Sequence, residues 1–256
     1  MTEIIQRKYG WKPDKKDHRD RLFLAPMIDA SQFPPEKYIG DKAPAPMDQG
    51  HLGSCTGHGI SGAFRTARII AGLPDRSFSR LQLYFDEREL EQTIDEDAGA
   101  EIRDGIKCLS STGIAPEELW PYDISKFTVR PTKDVYESAR LDVALSYERV
   151  NVSVNDIKAA LVADHPVIIG ISIFPEFESQ IVAETGIVPM PTSNEQPLGG
   201  HCMYVVGYGQ KPGYFTVRNS WGPNWGDKGD CYIPEDYLGN PNFGSDYWII
   251  KTVKSI

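Results

Sequence analysis

The hydrophobic pattern of this chain changes period near its middle, and that change limits the folds open to it. In the first half, apolar residues recur at helical spacing, most clearly at Ile60, Ala63, Phe64, Ala67, Ile70 and Ala71. Two further helices are predicted over 77–91 and 102–109. The second half carries short segments rich in β-branched and aromatic residues, at 166–173, 201–208, 213–218, 231–233 and 247–253, with one helix predicted over 153–163. This order predicts an α+β fold, in which a cleft between the two lobes is the expected ligand site.

The same pattern suggests three segments. Residues 1–30 are charged and poor in apolar runs, and we expect them to form an N-terminal arm. Residues 31–135 are expected to form the mainly helical lobe, and residues 136–256 the mainly β lobe.

Composition excludes several classes of function. The chain has 256 residues and a net charge of −9, which disfavours nucleic-acid binding and polybasic membrane binding. No apolar run approaches the roughly 20 residues of a membrane helix, and the charged start shows no signal peptide. We therefore expect a cytoplasmic protein, or one exported without a cleavable signal, and a monomer. The five histidines lack metal-ligand spacings with the four cysteines, so we expect neither a metal nor a cofactor.

A cysteine lies at the start of the strongest helix. Cys55 belongs to the segment QGHLGSCTGHG at 49–59, whose glycines would let a substrate backbone approach closely. The free N–H groups and partial positive charge of a helix N-terminus favour the thiolate, which is the nucleophilic form. Gln49 lies six residues upstream and could direct an amide donor to the same point. Taken alone, the pattern fits a small buried cysteine equally well.

Two downstream residues favour the catalytic interpretation. His201 follows two glycines at the start of a predicted strand, and Asn219 follows the next predicted strand. A thiol nucleophile needs a base that accepts its proton, and the base needs a third group to orient its ring. Cys55, His201 and Asn219 supply these three groups.

These motifs resemble the papain family of cysteine peptidases. The matching stretches are QG at 49–50 with GSC at 53–55, GH at 200–201 followed by VVGYG at 205–209, and RNSWG at 218–222 followed by WG at 225–226. The resemblance spans roughly residues 32–253 and implies the papain-like two-lobed fold, with an antiparallel β lobe and the active-site cleft between the lobes.

The resemblance also implies roles. Cys55 would attack a peptide carbonyl and form a thioester, with His201 as base and then acid and Asn219 as the orienting residue. The Gln49 side chain and the Cys55 backbone N–H would form the oxyanion hole. The resemblance further implies that Trp221, Gly99 and Gly200 contact a peptide or protein substrate.

The chain departs from the family pattern beside the nucleophile. Leu52 stands where the family usually has a disulfide-forming cysteine, and Thr56 where it has a tryptophan. The resemblance therefore indicates a divergent, disulfide-poor branch of the bacterial or viral type. Free buried thiols are expected, although Cys202 and Cys231 could face each other within one sheet.

Several alternatives stay open. The same thioester could transfer its acyl group to an amine instead of water, or the chain could be a catalytically silent peptide-binding module. The acid-rich segment 87–101 is expected to be a solvated helix end. Within the arm, Tyr9, Trp11, Leu22 and Phe23 could pack, and we expect residues 1–30 to lie near or across the cleft and limit access to it.

Overall fold

The structure is a computed structural model that describes residues 7–24 and 30–255; the remaining arm residues lie outside the described part. Its helices are α1 (Cys55–Ile70), α2 (Arg80–Leu90), α3 (Ile102–Ser111), α4 (Lys133–Ala139), α5 (Val154–Val162), α6 (Gln180–Thr185) and α7 (Glu235–Leu238). Its strands are β1 (Trp11–Lys12), β2 (Lys37–Tyr38), β3 (Ala100–Glu101), β4 (Asp142–Val150), β5 (Val167–Ile173), β6 (Gly199–Tyr208), β7 (Tyr214–Arg218), β8 (Asp230–Pro234) and β9 (Gly244–Ser255). Short 3-10 turns lie at Ala30–Gln32, Gly40–Lys42, Ile124–Lys126 and Pro175–Glu178.

One sheet dominates the second half of the chain. Six of its seven strands follow the order β4-β9-β5-β6-β7-β8, and β2 from the first half pairs with β6. Every pairing in this sheet is antiparallel. Helices α1 to α3 precede the six other strands of the sheet in the chain, which confirms the predicted α+β class.

Helix α1 packs closely on its neighbours through glycines. A Cβ added at Gly59 would lie 2.8 Å from the Cys202 sulfur on β6, and one added at Gly57 would lie 2.7 Å from the Arg80 carbonyl oxygen on α2. The helix can therefore approach both elements only where side chains are absent. This packing fixes the N-terminus of α1, and with it Cys55, against the start of β6.

The structure differs from the sequence interpretation at the sheet margins. Strand β4 was not predicted, because DVALSYERV mixes polar and apolar residues without clean alternation. The predicted facing of Cys202 and Cys231 is wrong, since β7 separates their strands in the sheet. All four cysteines are free and buried.

The arm runs along both halves of the chain. Strand β1 pairs with β3 in parallel, and a Cβ added at Gly170 of β5 would lie 2.2 Å from the Trp11 ring. Trp11 and Phe23 are buried, whereas Leu22 is exposed, contrary to its expected packing. No helix in the described ranges is long and apolar enough to cross a membrane.

Candidate active site

Cys55 is the first residue of α1 and is completely buried. Backbone N–H groups of Cys202 on β6, Gly10 in the arm and Thr56 on the helix hydrogen-bond to its sulfur. These donors favour the thiolate, but burial outweighs them and raises the pKa of Cys55 to about 11. The thiol is therefore neutral in the form of the protein with the arm in place.

His201 and Asn219 form a buried hydrogen-bonded pair. His201 Nε2 lies 2.8 Å from Asn219 Oδ1, and with Nε2 protonated it donates to this oxygen. The other ring nitrogen, Nδ1, is buried without a hydrogen-bond partner among the described residues. The next residue along β6, Cys202, donates its backbone N–H to Cys55, so β6 brings this ring to the neighbourhood of the thiol.

The His201 ring is also neutral in this form. Burial lowers the pKa of His201 to about 4; the hydrogen bond with Asn219 opposes this shift, and the Arg7 charge adds to it. The Tyr9 ring lies 6.0 Å from the His201 ring and the Trp221 ring lies 5.3 Å from it. Tyr9 of the arm therefore covers the His201 ring in this form.

Gln49 is held beside the same pair. Its Oε1 accepts a hydrogen bond of 2.6 Å from the Ser220 hydroxyl, which follows Asn219 in the chain. Its Nε2 donates to the carbonyls of Leu52 at 2.9 Å and Lys8 at 3.2 Å. The amide donor predicted for an oxyanion hole is therefore already in contact with a carbonyl oxygen of the arm.

The three predicted substrate-binding residues all contact the arm. A Cβ at Gly99, whose φ is +70°, would lie 2.1 Å from the Gly10 carbonyl oxygen, and one at Gly200 would lie 2.5 Å from the Trp11 carbonyl oxygen. The Arg7 guanidinium lies 5.3 Å from the centre of the Trp221 ring. The seven predicted site residues thus come together around one stretch of backbone, 7–12.

Two carboxylates near the site were missed by the sequence interpretation. Asp97 accepts hydrogen bonds from the Gly53 N–H at 3.1 Å to each oxygen and from the Tyr84 hydroxyl at 2.5 Å. Glu87 is completely buried and accepts a 2.6 Å hydrogen bond from the Thr56 hydroxyl. Burial raises the pKa of Glu87 well above its usual value. The expected solvated helix end holds for Gln92, Asp95 and Glu96, which are exposed, but not for Glu87, which is buried.

Leu52 and His58 have structural surroundings. Leu52 packs with Leu81 and Tyr84, so an apolar contact occupies the position of the expected family disulfide. His58 Nδ1 lies 3.0 Å from the Ser54 carbonyl oxygen, and burial lowers the pKa of His58 to about 3. His58 is thus a neutral residue within α1.

Residues 40–239 match the sequence profile described as papain family cysteine protease. This match covers most of the chain. The chain belongs to the papain family of cysteine proteases.

Two relatives above 30% identity come from a virus and a bacterium. An uncharacterised peptidase C1-like protein of Acanthamoeba polyphaga mimivirus is 37% identical, over 98% of this chain and 89% of its own length. Xylellain, a cysteine protease from Xylella fastidiosa, is 32% identical with a TM-score of 0.88, over 99% of this chain and 100% of its own. A cathepsin B-like protein of Giardia intestinalis is 28% identical over 77% of this chain and 69% of its length. The predicted recognition of a divergent papain-family branch is confirmed, and the chain is a papain-like cysteine protease.

Proposed function

We propose that this papain-family protease cleaves peptide bonds with Cys55 as nucleophile, His201 as base and acid, Asn219 as orienting residue and Gln49 in the oxyanion hole. The observation that carries the proposal is the His201 ring, whose Nε2 is 2.8 Å from Asn219 Oδ1 and whose Nδ1 has no other hydrogen-bond partner among the described residues. That nitrogen is free to accept the thiol proton.

The reaction follows from these positions. The Cys55 proton moves to His201 Nδ1, and the sulfur attacks the carbonyl carbon of the substrate. Gln49 Nε2 and the Cys55 N–H donate to the oxyanion. His201 then protonates the leaving nitrogen as the C–N bond breaks. A water molecule gives its proton to His201 and attacks the thioester, which releases the acid and restores the thiol.

The proposal assigns an inhibitory role to the arm. Gly10 and Lys8 contact the Cys55 sulfur and the Gln49 amide, which are the groups that a substrate must reach. Burial under the arm also keeps the thiol and the imidazole neutral, whereas the reaction needs the thiolate. Displacement of residues 7–12 would therefore both clear the cleft and permit the ion pair.

Chain direction explains how the arm could occupy the cleft without being cut. His201 must protonate the leaving nitrogen, so a leaving group lies on the side of Trp221, where Arg7 lies. The acyl part then lies toward Gly99 and Gly200, where Gly10 and Trp11 lie. A substrate would thus run, from its N-terminus to its C-terminus, from the Trp11 position toward the Arg7 position. The arm runs in the opposite direction, so the nitrogen that cleavage of the arm would release lies far from His201.

Turnover of a fluorogenic peptide amide by variants tests the assignment. We expect Cys55→Ala and His201→Ala to abolish turnover, and Gln49→Ala to lower kcat/KM by about 10²–10³ through loss of one oxyanion donor. Turnover retained by Cys55→Ala would contradict the proposal. Product analysis with and without an added amine separates hydrolysis from acyl transfer, because a transferase would release little free acid when an amine acceptor is present. A silent binding module would retain peptide binding without any turnover.

The expected setting is part of the same proposal. Four free thiols fit a reducing compartment, and we propose a monomeric protein acting on peptides or proteins there. Analytical ultracentrifugation of the full chain tests the monomer.

A further inference from the structure

Basic side chains of the arm form ion pairs with acidic side chains of the cleft walls. Arg7 Nη1 is 2.5 Å from Asp48 Oδ1, and Lys8 Nζ is 2.8 Å from Asp97 Oδ2. Farther along, Lys12 forms an ion pair with Glu91, and the Tyr9 hydroxyl donates to Glu178. The arm segment 7–12 is therefore a basic peptide seated in an acidic groove.

Besides the arm, the hydrogen-bond donors to Asp97 and Glu91 are neutral groups. Asp97 accepts from the Gly53 N–H and the Tyr84 hydroxyl, and Glu91 accepts from the Glu101 N–H. Their side chains are only 12% and 7% exposed, respectively.

The buried Arg88 acts on both carboxylates through its charge but forms no ion pair with either. Its N–H groups donate to the backbone carbonyls of Tyr84, Ile94, Glu96 and Phe127. Among the described residues, the ion pairs of Asp97 and Glu91 all go to the arm. When the arm leaves, both carboxylates lose the ammonium groups that form ion pairs with them.

We propose that the open cleft selects cationic peptides, with Lys or Arg on the acyl side of the scissile bond where Asp97 and Glu91 lie. The inference rests on the proposed peptidase function and adds its substrate class. A basic side chain of the substrate would restore the ion pairs that Lys8 and Lys12 of the arm supplied. An acidic substrate adds like-charge repulsion instead.

Three matched peptide coumarin amides test the substrate class on the full chain. Each carries a central tryptophan, flanked on both sides by lysine, by norleucine or by glutamate. The arm lowers the fraction of protein molecules with an open cleft by the same factor for every substrate. The ratio of kcat/KM between two substrates therefore does not depend on the arm. At low salt we expect the lysine peptide to exceed the norleucine peptide by about fivefold or more, and the glutamate peptide to be slowest. Near about 0.5 M NaCl the ratios should approach one.

A matched pair of variants assigns the preference to the cleft. Glu91→Gln removes the charge facing Lys12 while its Oε1 can still accept from the Glu101 N–H. We expect the lysine-to-norleucine ratio to fall severalfold in this variant. Glu148→Gln removes a carboxylate that pairs with Lys251 between β4 and β9, and should leave the ratio unchanged.

The possible failures are distinct. Equal kcat/KM for all three peptides, or a preference that Glu91→Gln leaves intact, would overturn the inference while the peptidase function stands. Turnover of none of the peptides, either by the unaltered chain or by full-length Trp11→Ala with its arm anchor removed, would overturn the proposed function and this inference together.

Discussion

At the scale of single residues, the arm contributes to the burial that sets the protonation of Cys55 and His201, and it also limits access to them. Burial raises the pKa of Cys55 to about 11 and lowers the pKa of His201 to about 4. Between these values both groups are neutral. Since the thiolate is the nucleophilic form of cysteine, the proposed mechanism requires the arm to move before Cys55 can react.

Opening the arm should therefore change the pH profile of Cys55. Trp11→Ala removes the arm's anchor against Gly170, so burial of the thiol decreases and its pKa falls. We expect iodoacetamide to alkylate Cys55 of this variant near neutral pH, whereas the unaltered chain reacts only as the pH rises toward about 11. Peptide mass spectrometry after timed alkylation measures this at Cys55 alone. Leu22→Ala, an exposed arm position, is the control and should behave like the unaltered chain.

Glu87 gives a second residue-scale prediction, concerning stability. Its raised pKa means that the folded state holds a proton that the unfolded state, with a pKa of about 4.3, releases. The contribution of Glu87 to the free energy of unfolding is complete below about pH 4.3. As the pH rises, this contribution declines by at most about 1.4 kcal/mol per pH unit until the pH exceeds the folded-state pKa of Glu87. Glu87→Gln removes that decline, so its stability relative to the unaltered chain should rise between pH 5 and 7. Urea unfolding at both pH values measures this, and a constant difference would show that Glu87 is ionised in the fold.

At the scale of elements, the position of α1 depends on glycines, although glycine in a helix disfavours helix formation. Gly59 lies against Cys202 on the strand that carries His201, and Gly57 lies against the Arg80 carbonyl. The distance between helix α1, which carries Cys55, and strand β6, which carries His201, thus depends on the absence of side chains at these glycines.

Replacement of Gly59 tests this spacing. In an ordinary helix, Gly→Ala stabilises by about 1 kcal/mol. Here the new methyl group would lie 2.8 Å from the Cys202 sulfur, so we expect Gly59→Ala to destabilise by about 1–3 kcal/mol instead. Thermal unfolding gives the sign, and an increased Tm would contradict the close approach.

The elements also show what could be predicted from sequence. Helix α1 and strands β5 to β7 have strong local periodicity, and Cys55, His201 and Asn219 lie in short motifs. These elements and residues could therefore be predicted from the sequence. The contacts of Asp97 and Glu87 were not, because the Gly53 N–H and the Thr56 hydroxyl come from distant parts of the chain. No local pattern encodes such long-range partners.

At the scale of the whole molecule, the arm ties the helical half to the sheet. Asp14 accepts hydrogen bonds from the Arg103 N–H of α3 at 3.0 Å and from Trp248 Nε1 of β9 at 2.9 Å. Arg149 of β4 lies 3.0 Å from Asp14 and 3.1 Å from Asp246. Burial, followed by the neighbouring Asp246, raises the pKa of Asp14 to about 7. One guanidinium therefore compensates two buried carboxylates at the end of the arm.

Loss of that guanidinium should affect the whole fold. We expect Arg149→Met to lower the free energy of unfolding by about 3 kcal/mol, because Asp14 and Asp246 would stay buried without their cation. Urea unfolding at neutral pH measures the change. Lys251→Met, which removes a more exposed pair with Glu148, should cost less than about 1 kcal/mol. Similar losses for both variants would argue against the buried anchor.

The nucleophile itself can be tested by titrating full-length Trp11→Ala with an epoxide-type thiol inhibitor while its turnover of the lysine-flanked peptide is followed. We expect one covalent adduct per chain, located at Cys55 by mass spectrometry, and turnover that falls to zero in proportion to the modified fraction. Turnover that survives complete modification of Cys55 would contradict its assignment as the nucleophile.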